Sequence, residues 1–186
     1  MIIGITGKSG AGKSTFSKLI KKFGDNFEYI DFDSIGHQTL DDKEVQDLIK
    51  LKLDIEVSST NRKELANFIF NNQNKTLEVK MVTTLMWDKM KEIIDGKLKD
   101  NSKNFIFDWI LLPETHYFKM CDIKILMVPF NNFFRKKCAV LRDNISSVEM
   151  RQREKASIKY DETQFDLVIK NNYSLDNLNK NLYNLI

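Results

Sequence analysis

Five short apolar segments recur along the chain and are separated by polar or amphipathic stretches. Each of these segments predicts a buried β-strand. They cover residues 1–6, 27–30, 105–107, 124–128 and 166–169. A helix is predicted from Lys13 to about Phe23, because the apolar residues between these positions recur at helical spacing. Strands that alternate with helices are typical of a parallel sheet with both faces covered.

The stretch from about residue 43 to residue 100 interrupts this alternation. Its apolar residues recur at helical spacing without a convincing strand, so it predicts a helical insertion beside the sheet. We expect its methionines and Trp87 to pack in a core, with a ligand-binding surface as the alternative. The predicted fold class is α/β in a single domain, with a parallel sheet of about five strands. Residues 1–40 and 101–186 are expected to form its core.

Composition and charge narrow the class of protein. The chain has 42% hydrophobic and 30% charged residues, as soluble globular proteins do, and no apolar run approaches the ~20 residues of a membrane span. Lys8 and Lys13 interrupt the N-terminal apolar stretch, so no signal peptide is predicted and a cytoplasmic protein is expected. Cys121 and Cys138 should then be reduced, packed thiols. A net charge of +3, with dispersed basic residues, favours neither a nucleic-acid nor a membrane partner, and no partner protein is evident.

A glycine-rich segment lies between the first predicted strand and the first predicted helix. Residues 7–14 have the sequence GKSGAGKS and match the phosphate-binding loop, whose glycines let backbone N–H groups approach phosphate oxygens. Lys13 is expected to reach the β- and γ-phosphates, and the Ser14 hydroxyl to bind magnesium. The segment therefore predicts a nucleoside triphosphate site with Mg²⁺ as cofactor. The residues expected to contact the triphosphate are Gly10, Ala11, Gly12, Lys13, Ser14 and Thr15.

A triphosphate site is compatible with a small-molecule kinase, a GTPase switch or a mechanical ATPase. Residues 33–36 match the D-x-x-G pattern of GTPases, but they follow the second predicted strand rather than the third, and the N-K-x-D guanine motif is missing from the sequence. Motor ATPases normally need longer chains. A phosphate-loop domain with a helical insertion and a late arginine-bearing segment favours a kinase that acts on a small acceptor.

Carboxylates follow two of the predicted strands. Asp31 and Asp33 follow the second strand, and alternation along that strand places them on one face at the carboxyl edge of the sheet. We expect Asp33 to accept the proton of the acceptor hydroxyl, and Asp31 to orient that hydroxyl or to bind magnesium through water. The alternative is that either residue caps the next helix. Asp108 ends the third strand and is a further carboxylate expected to bind magnesium through water.

Three arginines lie around a helix that is predicted to begin near Ser146. They are Arg142, Arg151 and Arg153. We expect a lid over about residues 142–156 that closes on the phosphates and excludes water. Solvated charges on the helix surface are the alternative.

These residues resemble the dephospho-coenzyme A kinase family over nearly the whole chain. The segments that are similar to its motifs are residues 2–14, 29–33, 61–65, 108–114, 142–146 and 166–171. The resemblance implies phosphorylation of the ribose 3′-hydroxyl of dephospho-coenzyme A, with ATP and that acceptor as partners. It also implies that Arg142 binds ATP and assists catalysis and that Asn171 lies next to the adenine. The residues expected to bind the acceptor are Asp31, Asp33, Asp108 and Arg151.

The chain departs from that family at several positions. Residues 82–83 are Val-Thr where His-Pro is expected, and Tyr173 stands in place of a glycine near the adenine. Cys138 stands where an arginine is expected, and Lys136 and Lys137 are candidate substitutes for it. A nucleoside or nucleotide kinase of similar fold is therefore one alternative function. A nucleotide-binding regulator that has lost catalysis is another.

Overall fold

The structure, a computed structural model, describes residues 1–24, 26–72, 76–143, 145–146, 149–151, 154 and 158–183. The chain divides into two compact units. The first is formed by Met1–Ile30 and Asn101–Ile186, and the second by Asp31–Asp100. The stretch between residues 43 and 100, predicted to be helical, lies within the second unit.

A five-stranded sheet forms the centre of the first unit, and all five predicted strands are confirmed. The strands are β1 (Ile2–Thr6), β2 (Phe27–Asp31), β3 (Asn104–Asp108), β4 (Ile123–Pro129) and β5 (Leu167–Asn171). Their order is β2-β3-β1-β4-β5, with β1 parallel to β3 and β4, and β4 parallel to β5. The carboxyl ends of β1, β3 and β5 therefore meet at one edge. The phosphate loop, Asp108 and Asn171 lie at this edge, where ligands of α/β sheets bind.

The helices alternate with the strands as the sequence predicts. They are α1 (Lys13–Phe23), α2 (Phe32–Gln38), α3 (Lys43–Leu53), α4 (Lys63–Asn72), α5 (Leu77–Leu98), α6 (His116–Met120), α7 (Asn132–Asp143) and α8 (Leu175–Tyr183). Short 3₁₀ turns cover Thr39–Asp41, Leu112–Glu114 and Glu162–Gln164. Helix α1 begins and ends where its apolar spacing predicts.

The apolar stripe of α1 holds this helix on the sheet. Phe16 and Ile20 are fully buried and pack with Ile3 and Ile5 of β1 and with Leu178 of α8. Full burial of side chains of this size stabilises a fold by about 1.5–3 kcal/mol each. The phosphate loop that precedes α1 is therefore attached to a rigid element at each end.

The second unit is helical, as its apolar spacing predicts. Helix α3 begins at an Asp42 cap, whose carboxylate accepts hydrogen bonds from two backbone N–H groups, and α5 begins at a Thr76 cap. A core forms where Val45 and Ile49 of α3 meet Val82 of α5. Among the helices formed by the described residues, none has both the length and the apolar composition that a membrane span requires.

Candidate active site

The phosphate loop connects β1 to α1, and at some of its positions the backbone has a conformation that only glycine adopts readily. Gly10 has φ +79°, and Gly12, which caps α1, has φ +98°. A Cβ atom on Gly10 would lie 2.7 Å from the carbonyl oxygen of Arg135. Both the left-handed backbone and the close approach of α7 therefore require glycine at position 10.

Three successive carbonyl groups of the loop accept hydrogen bonds from side chains outside it. Arg135 Nη1 donates to the oxygen of Ser9 at 2.8 Å, and Asn171 Nδ2 donates to that of Ala11 at 2.9 Å. The hydroxyl of Tyr173 contacts the oxygen of Gly10 at 3.4 Å. Helix α7 and the end of β5 thus bind the carbonyl side of the loop.

A cavity of about 420 Å³ opens beside the loop and lies wholly within the first unit. This volume falls in the range of small-ligand sites. Its lining comprises Gly10, Gly12, Lys13, Ser14, Thr15, Lys18, Cys138, Arg142, Asn171, Tyr173, Leu175 and Leu178. Most of the predicted triphosphate residues line it, together with Arg142 and Asn171. Ala11 is fully buried, and its N–H group donates to the oxygen of Lys8 at 3.0 Å.

Ser14 is joined to Asp108 at the carboxyl edge of the sheet. The Ser14 hydroxyl donates to Asp108 Oδ2 at 2.9 Å, and the Tyr29 hydroxyl donates to the same oxygen at 2.8 Å. Asp108 is 4% exposed, so these bonds stabilise a carboxylate that is almost entirely removed from water. A hydroxyl beside a carboxylate at a phosphate loop is a donor set that suits Mg²⁺, which prefers oxygen ligands and keeps several waters.

Two arginines of α7 contact the loop at Ser9. The exposed Arg142 donates from Nη2 to the Ser9 hydroxyl at 2.9 Å. Arg135 is fully buried and donates from Nη2 to Glu154 Oε1 at 2.7 Å, in addition to its bond to the Ser9 carbonyl. Lys136, one of the candidate substitutes for the arginine missing at Cys138, also pairs with Glu154, at 3.4 Å.

The charges around Glu154 control its ionisation. Desolvation acts to raise the pKa of Glu154, but the hydrogen bond and charge of Arg135, with smaller contributions from Lys8 and Lys136, outweigh it and lower the pKa. Glu154 therefore stays ionised and neutralises the buried guanidinium.

Comparison with known proteins decides the family. The family model described as Dephospho-CoA kinase matches residues 1–177. A protein from Fusobacterium nucleatum named Dephospho-CoA kinase is 32% identical over 187 aligned positions, which cover 97% of this chain and 94% of that protein. The chain belongs to the dephospho-CoA kinase family. It is therefore a kinase, with ATP and dephospho-CoA as the substrates of its family.

Solved structures show the same fold. A crystal structure of a Thermus thermophilus protein superposes with a TM-score of 0.80 at 23% identity, covering 100% of this chain and 95% of the other. A Campylobacter jejuni structure named as a dephospho-CoA kinase gives 0.64 at 20% identity, with 99% and 94% covered. At 23% and 20% identity, these two structures are evidence for the fold alone. They show that this member of the dephospho-CoA kinase family has an α/β phosphate-loop architecture.

The segment predicted to form a lid is described in part. The helix predicted near Ser146 is confirmed, since Ser146 Oγ accepts from the backbone N–H of Glu149 at 3.1 Å and Glu149 Oε2 accepts from that of Ser146 at 2.7 Å. This reciprocal pair is a capping box. Arg151 is helical and exposed. Arg153 lies outside the described residues, as do several other positions of the segment.

Asp31 and Asp33, the two aspartates expected to bind the acceptor, lie in the second unit. Their predicted arrangement on one strand face is wrong, because β2 ends at Asp31 and Asp33 lies in the first turn of α2. Strand alternation therefore does not relate the two side chains. Asp31 caps α2, its Oδ1 accepting from the backbone N–H of Ser34 at 3.1 Å. This cap is the alternative that the sequence left open.

His37 and Arg62 lie in the same unit, and the charge of Arg62 acts on His37. Burial lowers the pKa of His37, the positive charge of Arg62 lowers it further, and the negative charge of Asp31 opposes them in part. His37 is therefore neutral at pH 7. Arg62 belongs to the segment at residues 61–65 that resembles a motif of the family.

Sequence reasoning missed some residues that support the loop. Arg135 lies in the basic run at residues 135–137, which gives no indication of burial, yet it is fully buried. It shares a helix face with Ala139, four residues later, but the sequence alone does not mark that face as buried. Tyr29 gave no comparable signal, since its bond to Asp108 joins two different strands. Within the described part of the chain, no group of three or more histidine, cysteine or carboxylate residues is placed to bind a metal ion by itself.

Proposed function

We propose that the chain transfers the γ-phosphate of ATP to the ribose 3′-hydroxyl of dephospho-CoA and releases ADP and CoA. The hydrogen bond between Ser14 and Asp108 at a loop-lined cavity is the observation that supports this most directly. It brings a hydroxyl and a carboxylate together at the point where a phosphate loop holds a metal–triphosphate complex. Membership of the dephospho-CoA kinase family supplies the acceptor.

The ATP half of the reaction belongs to the first unit. Backbone N–H groups of the loop at Gly10 and at residues 12–15 bind the phosphates, aided by the positive end of α1, and Lys13 contacts the β- and γ-phosphates. The adenosine extends along the cavity towards Asn171, whose side chain also fixes the carbonyl of Ala11. Arg142 neutralises charge on the transferred phosphoryl group once it exchanges its bond to Ser9 for one to phosphate.

Ser14 and Asp108 are the residues that would hold magnesium, the serine directly and the aspartate through water. Bound there, the ion would offset charge on the β- and γ-phosphates. The hydrogen bond from Tyr29 fixes the carboxylate of Asp108 in place.

The acceptor half is assigned to residues of the second unit and the lid. Asp33 accepts the proton of the acceptor's 3′-hydroxyl. At the same time the 3′-oxygen forms a bond to the γ-phosphorus of ATP, and the bond between that phosphorus and the oxygen of the β-phosphate breaks. Asp31 orients the acceptor, and its bond to Ser34 holds it at the start of α2. Arg151 binds the acceptor from the lid.

A nucleoside or nucleotide kinase is a second candidate, favoured by two adjacent positions of α5, Val82 and Thr83. Val82 is buried in the core, and the hydroxyl of Thr83 donates to the carbonyl groups of Val79 and Lys80 in its own helix. The two residues that replace the family's His-Pro pair thus offer no side-chain donor to an acceptor.

One assay separates the two candidates. The purified chain is incubated with ATP, MgCl₂ and either dephospho-CoA, deoxynucleosides or nucleoside monophosphates, and the products are resolved by mass spectrometry. CoA should form from dephospho-CoA, and a Lys13→Met variant should form none. Turnover of a nucleoside or nucleotide without CoA formation would assign the second function instead.

A further inference from the structure

The carbonyl groups of the phosphate loop carry a contact that the reaction chemistry does not require. Arg135 binds the carbonyl group of Ser9, while the neighbouring carbonyl groups of Gly10 and Ala11 are contacted by Tyr173 and Asn171. In a planar trans peptide, the carbonyl oxygen and the following N–H group point in opposite directions. Fixing the Ser9 carbonyl on α7 therefore fixes the direction of the N–H group of Gly10.

The guanidinium of Arg135 is rigidly held. It is 0% exposed, and besides the Ser9 carbonyl it binds Glu154 at 2.7 Å and Asn132 at 3.2 Å. A buried guanidinium with its donors bound to fixed partners loses little further freedom when a ligand binds. A charge-assisted hydrogen bond is about twice as strong as a neutral one, so the Ser9 carbonyl has a strong partner.

We infer that Arg135 is a positioning residue for phosphoryl transfer, which acts through the carbonyl group of Ser9 to hold the phosphate loop in its binding conformation. The inference rests on the proposed function only in assuming that the cavity takes ATP. The residue touches no substrate. Its effect is to remove the reorganisation that the loop would otherwise undergo when phosphates bind.

The competing explanation is purely structural, since Arg135 also neutralises Glu154. Three variants separate the roles. R135M removes the bond to Ser9 and leaves Glu154 without its main partner, whereas the double variant R135M/E154M removes the bond to Ser9 and the stranded carboxylate together. E154Q keeps an oxygen that can accept from Arg135, and so preserves the bond to Ser9.

The test is calorimetric binding of MgATP and of magnesium triphosphate, without any acceptor, combined with thermal unfolding. R135M/E154M should unfold near the wild-type temperature yet bind both ligands about 10- to 100-fold more weakly, the effect of one lost charge-assisted hydrogen bond. E154Q should bind both as the wild type does. N132A removes another contact of Arg135 but not the one to Ser9, so this variant should also bind both ligands with wild-type affinity.

Each outcome decides the inference. Wild-type affinity in the folded double variant would overturn it, and so would a loss in E154Q equal to that in the double variant. If R135M fails to fold, the double variant carries the test, because it buries no unpaired charge.

With dephospho-CoA added, KM for ATP should rise in the double variant while KM for dephospho-CoA stays unchanged. A wild type that binds MgATP but forms no CoA would refute the proposed function and leave the binding test intact.

Discussion

Ser14 and Asp108 lie 94 residues apart in the chain and are joined by a 2.9 Å hydrogen bond. The parallel pairing of β1 with β3 produces this contact, because it aligns Ile5 with Asp108 at the strand ends. The contact places a hydroxyl and a carboxylate side by side at the first turn of α1.

The first prediction concerns this carboxylate. Asp108→Asn should lower kcat by about 10²-fold and raise the Mg²⁺ concentration needed for half-maximal rate, because the site loses its negative charge. Tyr29→Phe is the matched control, since it removes the other hydrogen bond to the same oxygen. It should cost about 1 kcal/mol of stability and raise the Mg²⁺ requirement less than Asp108→Asn does, because it loosens the carboxylate but keeps its charge. Wild-type Mg²⁺ dependence in Asp108→Asn would exclude the assigned role.

The second prediction separates the two aspartates at the start of the second unit. Asp33→Asn should lower the rate of CoA formation by ~10²–10⁴ with MgATP affinity retained, as expected for loss of a general base. Asp31→Asn should keep the wild-type melting temperature, because asparagine caps helices as well as aspartate does. Asp31→Ala should lose about 1 kcal/mol of stability. Full activity in Asp33→Asn would show that another group accepts the proton.

Most of the fold could be predicted because it depends on local pattern. The apolar segments marked all five strands, and the spacing between Lys13 and Phe23 marked α1. The arrangement of Asp31 and Asp33 was predicted wrongly, because the chain turns into a helix at Phe32 and strand alternation stops there. The hydrogen bond from the backbone N–H of Ser34 to the Asp31 side chain favours the start of a helix here. This interaction is local, but the same residues could also have continued the strand.

The support of the phosphate loop could not be predicted in the same way. The loop itself follows from its glycines and Lys13, whereas Arg135 binds it across 126 residues of chain. Whether an arginine of α7 faces solvent or the loop depends on how the helix is rotated on the sheet. That rotation is set by tertiary packing, and a row of basic residues alone does not reveal it.

The third prediction concerns the two thiols. Burial raises the pKa of Cys121 to about 12, and its sulfur donates to the carbonyl of Tyr117 at 3.2 Å. Cys138 is half-buried and lines the cavity beside the loop. Because the thiolate is the reactive form, iodoacetamide should label Cys138 in the folded protein at neutral pH and leave Cys121 unmodified. MgATP should slow the labelling of Cys138. Peptide mapping checks both statements, and equal labelling of the two thiols would contradict them.

The fourth prediction is a pH dependence of stability. Burial and the charge of Arg62 lower the pKa of His37 below its ordinary value of 6.5, so the folded chain binds fewer protons at this residue than the unfolded chain does. Stability must then fall as the pH drops through about 6.5 towards the lowered pKa. The stability of the His37→Gln variant should fall less over this pH range, because glutamine does not bind a proton. Urea unfolding of both proteins between about pH 5 and pH 8 measures the difference. Parallel curves would show that His37 does not contribute.

The last prediction uses the backbone of Tyr173, which stands where the resemblance assigns a glycine. Tyr173 has φ +68°, a left-handed conformation that disfavours any side chain with a Cβ atom. Its ring packs edge-on against Phe134 with centroids 4.7 Å apart, a contact that stabilises the residue in this conformation. Tyr173→Gly and Tyr173→Ala both lose the ring, and only alanine keeps the Cβ atom.

The glycine variant should therefore be more stable than the alanine variant by about 1 kcal/mol. Alanine has the free-energy cost of a Cβ atom in the left-handed conformation, and glycine has the smaller cost of the greater conformational entropy that it loses on folding. Thermal unfolding of both variants without nucleotide gives the comparison. At an ordinary helical or extended position the order would be reversed, because alanine would then be favoured. A more stable alanine variant would thus show that the turn after β5 relaxes out of the left-handed conformation once the ring is removed. The expected order would instead explain how a tyrosine is accommodated at a position suited to glycine.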